Sequence, residues 1–369
     1  MVRNLAIFAA LLATSSLGCS ETLWLPASGI GGAGGRGASA GGGSGGRDGG
    51  LGGRGSLGGS GGSGGRGGGP CIGGAMATIR IDRPELLISL GRNSSMDSRF
   101  GDGSRLSVTE RMLRDLIFTH QDDVSFGYQE FPDDHCGRSA CCASDLVLLP
   151  GLGTFASIEL KLRQCDADPN ACASPLEARP LAAAMSDAFA SLGTSEKGGR
   201  QVVLITDGDP GCTPDEPLNC KAVSLPVNEL RAKDVYTHVV AVGHEQGSAV
   251  PCLTNIAQQA GTGPAGGPPA IYPAGTSEQL RNSLGEIFDR AEDAACVINF
   301  VSAPPASAQG VVVTIRDEVI PAGGPDGWAL VLGSQPPQQP QLQVRGRSCG
   351  FLKRVSPADV KVFVGCIAP

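Results

Sequence analysis

Positive charge, histidine and long apolar runs are all scarce in this chain of 369 residues. Lys and Arg number 29 against 36 Asp and Glu, a net charge of −7. No basic stripe is therefore on offer to displace the counterions of a nucleic acid or to hold an anionic lipid surface. The four histidines are His120, His135, His238 and His244. His244-Glu245 lacks the second histidine of H-E-x-x-H, which excludes a zincin, and His238 lies in a run that reads as a strand and is expected to be structural. No C-x-x-C redox pair occurs. No serine, histidine and acid can be nominated as a triad from spacing, so the expectation is a protein that is not an enzyme. The apolar run Leu5–Ala13 is too short to span a bilayer as a mature helix.

What is abundant is glycine, with 56 residues against a globular norm of about 7%. Ahead of the glycines, Arg3, the run Leu5–Ala13 and Thr14-Ser15-Ser16 have the three-part layout of a secretory signal. Leu17-Gly18-Cys19-Ser20 resembles a bacterial lipobox, with Ser16 where leucine is usual. The resemblance implies cleavage before Cys19 and acylation of its sulfur, with more than one chain holding the protein stably; simple secretion with Cys19 as an ordinary thiol is the alternative. Ser20 after the cysteine implies, by the same resemblance, sorting to the outer membrane. From Gly29 to Gly69 the chain is nearly all Gly with Ser, Ala and spaced arginines, a composition that cannot offset its ordering entropy and is expected to be a disordered leash. A coil of that kind spans about 35–40 Å root-mean-square.

After Cys71 the pattern changes. Glu85–Leu90 and Val202–Ile205 are short apolar runs that read as central strands buried on both faces. The second stops at Asp207-Gly208-Asp209-Pro210, which delivers Asp207 to the carboxyl edge of the sheet, where open α/β folds place their ligand sites. Ser107-x-x-Glu110 reads as a capping box ahead of Met112, Leu113, Leu116 and Ile117. Helices are expected over Leu181–Leu192, Asn228–Lys233, Leu253–Ala260 and behind a Thr276 cap. Strands are expected at Val124–Phe131, Asp145–Leu149, Val235–Val242 and Ile271-Tyr272. The alternation predicts an α/β domain with a doubly wound, mostly parallel sheet and helices on both faces.

These elements resemble a von Willebrand factor type A domain over Ala75–Ala295, about three fifths of the chain. Such domains usually carry a metal-ion-dependent adhesion site: Asp-x-Ser-x-Ser after the first strand, a threonine from a second loop and an aspartate in a T-D-G turn. The resemblance implies Mg²⁺ or Ca²⁺ in an oxygen shell that a partner's carboxylate completes. Thr206-Asp207-Gly208 matches the third loop. In the first, Leu87–Met96 puts Gly91 at the aspartate, Asn93 at the first serine and Ser95 at the second. In the second, Glu177–Met185 puts Arg179 at the threonine, while a rival alignment through Ser174-Pro175 preserves a hydroxyl. Three outcomes follow. A metal is held by Asn93, Ser95, Ser174 and Asp207; or Arg179, failing that Arg92, pairs with Asp207 and supplies the missing positive charge; or the rim is vestigial, with Asp207 capping its own turn. The expectation is no cofactor, with the partner-binding rim formed by Asn93, Ser95, Arg179 and Asp207.

Twelve cysteines besides Cys19, in an exported chain, read as disulfides. Cys165/Cys172 and Cys212/Cys220 are spaced to close small loops, Cys71 and Cys296 flank the domain and could meet near its base, and Cys349/Cys366 is the first expected bridge. A zinc site at His135, Cys136, Cys141 and Cys142 matches no usual spacing. From Cys296 to Pro369 the expected helices give way to short strands, with Trp328 as a core plug, and the segment reads as a small cysteine-stapled β module. The expected organisation is a signal peptide over 1–18, a lipidated cysteine and Gly-rich linker over 19–74, the α/β domain over 75–295 and the β module over 296–369. The expected function is a non-catalytic outer-membrane lipoprotein, anchored by lipid only and facing the periplasm or the cell surface. Its α/β domain binds a protein or envelope component. The alternatives are an envelope assembly factor acting through the β module and, further off, a hydrolase.

Overall fold

In the computed structural model, β3 (Glu85–Gly91) and β8 (Arg200–Thr206) are buried at every residue, as a strand covered on both faces must be. They pair in parallel from Glu85↔Arg200 to Leu90↔Ile205. The described residues are 74–133, 145–163, 166, 173–195, 198–212, 216–245, 250–301, 305, 307–331 and 340–366, within the unit 66–369. Cys19, the signal, the leash, Cys71, His135, Cys136, Cys141, Cys142, Cys165 and Cys172 lie outside them.

Past a short hairpin of β4 (Arg99–Phe100) and β5 (Gly103–Ser104), the strands β6 (Ser125–Phe131), β7 (Asp145–Gly151), β9 (Tyr236–Val242) and β10 (Tyr272–Ala274) join β3 and β8 in a sheet of order β10-β9-β8-β3-β6-β7. All its pairings are parallel except β6 with edge strand β7. One face carries α1 (Arg105–His120), α2 (Phe155–Leu162) and α6 (Ser277–Asp293) over a core that includes Leu86, Ile88, Val203, Leu284 and Phe288. The other carries α3 (Leu181–Leu192), α4 (Glu216–Ala232) and α5 (Pro251–Ala260) over Leu87, Val202, Leu204, Met185 and Val239. Alternate residues of one strand thus feed two separate cores.

Several boundaries differ from expectation for identifiable reasons. The first helix starts at Arg105 because Ser104, not Ser107, is the cap: its side chain accepts from Ser107 N while the Ser107 hydroxyl accepts from Ser104 N. Helix α4 runs through Pro226, where the sequence suggested a start at Asn228, because buried Val223, Val227 and Leu230 keep one face docked across it. The Thr276 cap stands, accepting from Gln279 N.

The larger difference concerns the second module. Strands β1 (Ala75–Met76) and β2 (Ile79–Ile81), expected inside the α/β domain, pair instead with the C-terminal strands. One sheet has the order β1-β16-β12-β13, with β12 Val311–Ile315, β13 Glu318–Ile320 and β16 Val360–Val364. The other is β14-β15-β11-β2, with β11 Val297–Phe300, β14 Trp328–Val331 and β15 Gln341–Val344. They share a core of Ile298, Val313, Trp328, Leu342 and Val362, making a two-sheet sandwich that receives strands from both sides of the α/β domain. A helix the sequence did not indicate, α7 (Gly346–Leu352), belongs to it as well. Trp328 is buried, its indole N–H donating to Ile320 O at 3.1 Å.

The bridges differ too. Cys296 joins Cys349 and Cys220 joins Cys252, with Cα separations of 5.3 and 5.5 Å, so none of Cys349/Cys366, Cys71/Cys296 and Cys212/Cys220 forms. Cys212 and Cys366 are disulfide-bonded as well. The Cys296 bridge ties the end of α6 to α7, and charge reinforces the joint: Lys353 donates to Asp123 at 3.3 Å and also to Glu292, which receives His120.

Candidate functional site

The carboxyl ends of β3 and β8 deliver a first turn, Arg92–Asp97, and Asp207 to one edge. The Asp207 side chain is 0% exposed. Its Oδ1 accepts from Asn93 Nδ2 at 3.1 Å and from Arg179 Nε at 3.0 Å; its Oδ2 accepts from Arg105 Nη1 at 3.2 Å. Arg179 Nη2 also donates to Ser95 Oγ at 2.8 Å, and Asn93 Nδ2 donates to the same oxygen. Burial would push the Asp207 carboxyl up. The Ser95 hydrogen bond, the Arg179 charge and the Asn93 amide outweigh it and hold the group below its ordinary value. Asn93, Ser95, Arg179 and Asp207 are therefore brought together.

Ser174 is not with them. It is buried in the neighbouring loop, its hydroxyl accepting from Leu176 N while its own N–H bonds Arg92 O. Arg92 turns away as well, pairing with Glu130, whose other oxygen accepts from Tyr128 OH at 2.8 Å. Arg105, which the sequence reading passed over, takes the second place on Asp207. Its position, first in the helix behind the Ser104 cap, was hidden by the overlapping Ser107-x-x-Glu110 pattern. Glu110 is not a capping residue: it is buried one turn further on, and among the described residues neither of its carboxylate oxygens has a hydrogen-bond partner.

The residues present do not fit a hard dication. Such an ion needs several oxygens with free lone pairs, yet both Asp207 oxygens and Ser95 Oγ already accept N–H donors. At Gly91, the position of the expected aspartate, an added Cβ would sit 3.2 Å from Ile205 O and 3.2 Å from Phe131 Cε2. Among the described residues, Asn93 Oδ1 has no donor. Among the described residues no group of three or more His, Cys, Asp or Glu side chains is placed to hold a metal.

Other polar groups serve the frame. Asp209 caps α5 by accepting from Leu253 N at 3.0 Å, and His244 Nε2 donates to Asp207 O at 2.9 Å. His238 is structural, its Nε2 2.9 Å from Gln201 Oε1 and its Nδ1 3.2 Å from Tyr272 OH. Burial, helped by the Arg290 charge, pushes it down to about 3, so it is neutral at physiological pH.

A doubly wound sheet with one antiparallel edge strand, a T-D-G turn at the end of its central strand and a polar turn beside it define a von Willebrand factor type A-like fold. No family model and no curated protein matches the chain. Among solved structures it is similar to an aerotolerance-related membrane protein from Bacteroides fragilis NCTC 9343 carrying multiple mutations to serine, at 17% identity and TM-score 0.39, over 56% of this chain and 99% of that one. It is also similar to the conserved hypothetical protein BatB from Bacteroides thetaiotaomicron, at 18% identity and TM-score 0.39, over 57% and 99%. A third is the vWF domain of the type V pili tip protein Mfa5 from Porphyromonas gingivalis, at 10% identity and TM-score 0.38, over 57% and 95%.

Proposed function

We propose that this chain is a non-catalytic binding protein of the cell envelope that grips a protein or envelope component through the rim at Asn93, Ser95, Arg179, Arg105 and Asp207. The observation that carries the reading is the position of this polar cluster. It lies at the carboxyl ends of β3 and β8, whereas the sandwich strands β2 and β11 adjoin the amino end of β3 and the carboxyl end of α6. The first described strand, β1, belongs to the sandwich, so the chain that would carry the proposed anchor at Cys19 joins the described residues there and not at the rim. Charge recognition suits such a role, since it steers encounter and fixes register.

The test is capture from an envelope fraction by the full chain, with Arg179→Glu and Val319→Asp in parallel. Loss of the captured partner in Arg179→Glu alone supports the rim. A second reading, contact through the β module, draws on the exposed apolar edges at Met76 (67% exposed) and Val319 (53%). Loss in Val319→Asp alone would transfer the function there.

A further inference from the structure

The two arginines do more than neutralise Asp207. Each guanidinium lies over a glycine. A Cβ added at Gly208 would come within 3.3 Å of Arg179 Cζ, and one at Gly243, whose φ is +83°, within 2.5 Å of Arg105 Nε and Nη2. Both planar groups thus rest on bare backbone and are pinned from one side by a buried carboxylate, a held geometry for flexible side chains. The side chains of Arg179 and Arg105 are 25% and 23% exposed. Among the described residues neither Arg179 Nη1 nor Arg105 Nη2 finds an acceptor.

We propose that this pair is a metal-free oxyanion site whose ligand is a carboxylate presented by an acidic segment of the partner. Two guanidiniums against one carboxylate leave a single net positive charge on the cluster. A single carboxylate neutralises it, whereas a dianionic phosphate would leave an excess of negative charge. Fixed guanidinium forks match carboxylate geometry through paired N–H donors, and holding them in advance removes part of the ordering cost of binding. The site thus takes directly, through nitrogen donors, the kind of group a dication would take through its open coordination place. The inference rests on the rim being the contact face.

The experiment uses the full chain labelled with ¹⁵N-arginine, in EDTA, with the Nε–Hε resonances of Arg105 and Arg179 assigned from Arg105→Lys and Arg179→Lys. N-acetyl-aspartate N-methylamide is titrated against inorganic phosphate. The proposal expects both resonances to shift and saturate in the millimolar range with the aspartate probe, with at least about tenfold weaker binding in Arg179→Lys, since a lysine keeps the charge but loses the fork. Unchanged backbone amide spectra in the lysine variants confirm that they fold. No saturable shift, a shift that needs Mg²⁺ in place of EDTA, or tighter saturation by phosphate would each overturn it. Rim-dependent capture without a carboxylate response would sink this inference alone; capture insensitive to Arg179 would sink the contact face itself.

Discussion

Arg105 Nη1 meets Asp207 Oδ2 at 3.2 Å across 102 residues of sequence, while Arg179 holds the other oxygen from 28 residues away. Stripping a buried charge of its partner costs about 3–5 kcal/mol. Either arginine alone leaves Asp207 with a counter-charge, so Arg105→Ala and Arg179→Ala should each fall below that range and the double variant within it. Urea unfolding of the four members of the cycle measures this. Single costs that simply add, within about 0.5 kcal/mol, would mean the two arginines act independently.

Divalent cations should not stabilise the protein. Mg²⁺ or Ca²⁺ at millimolar concentration is expected to leave the melting temperature of the full chain unmoved, because a ligand stabilises the folded state only where its concentration exceeds its dissociation constant. A rise that sets in at micromolar metal, grows with the logarithm of its concentration and disappears in Asp207→Asn would show that an ion displaces Arg179.

Stability should fall as pH rises from about 4.5 to about 8. Burial, opposed by Arg92 and aided by Glu130, pushes the Glu110 carboxyl from 4.5 up to about 8. Between those values the folded chain holds a proton that the unfolded chain has lost, so each added pH unit favours unfolding. Asp207 acts in the opposite sense, its contribution being lost as pH falls below its ordinary 3.8. Glu110→Gln should flatten the slope, and Glu110→Leu, which removes two unpartnered oxygens, should add about 1–3 kcal/mol near pH 8. Melting curves across this range decide it; an unchanged slope in Glu110→Gln would assign the titration to another group.

Cys296–Cys349 closes a loop with a sequence separation of 53, for which chain entropy alone gives about 4 kcal/mol. Cys349→Ser should therefore destabilise the sandwich, read as exposure of Trp328 in fluorescence, well before it disturbs the parallel sheet, read as far-UV circular dichroism. Coincident loss of the two signals would mean that the modules unfold as one.

The parts that were legible in the sequence are those whose signal is local. Val202–Ile205 and Glu85–Leu90 betray their double burial by being apolar at successive positions, and the T-D-G turn announces the edge of the sheet by itself. Arg179 was within reach because it sits just ahead of a well-patterned helix. What was hidden depends on distant pairing. Strand β2 is three residues with a charged centre, and only its partner Ile298, Asn299 and Phe300, more than 200 positions later, makes it a strand. Disulfide partners are likewise fixed by where elements pack: proximity in sequence favoured Cys212 for Cys220, whereas the packing of α4 on α5 brings Cys252.

Because Ile81 and Ile298 sit opposite each other on adjacent strands, the α/β domain leaves and re-enters the sandwich at almost one point. A pull on the chain ahead of residue 75 is thus taken up by the two-residue edge strand β1 and its neighbour β16. A load applied between residue 75 and the end of β16 is therefore borne first by that short pairing, and the arginine-capped edge, reached only through the excursion between β2 and β11, keeps its shape.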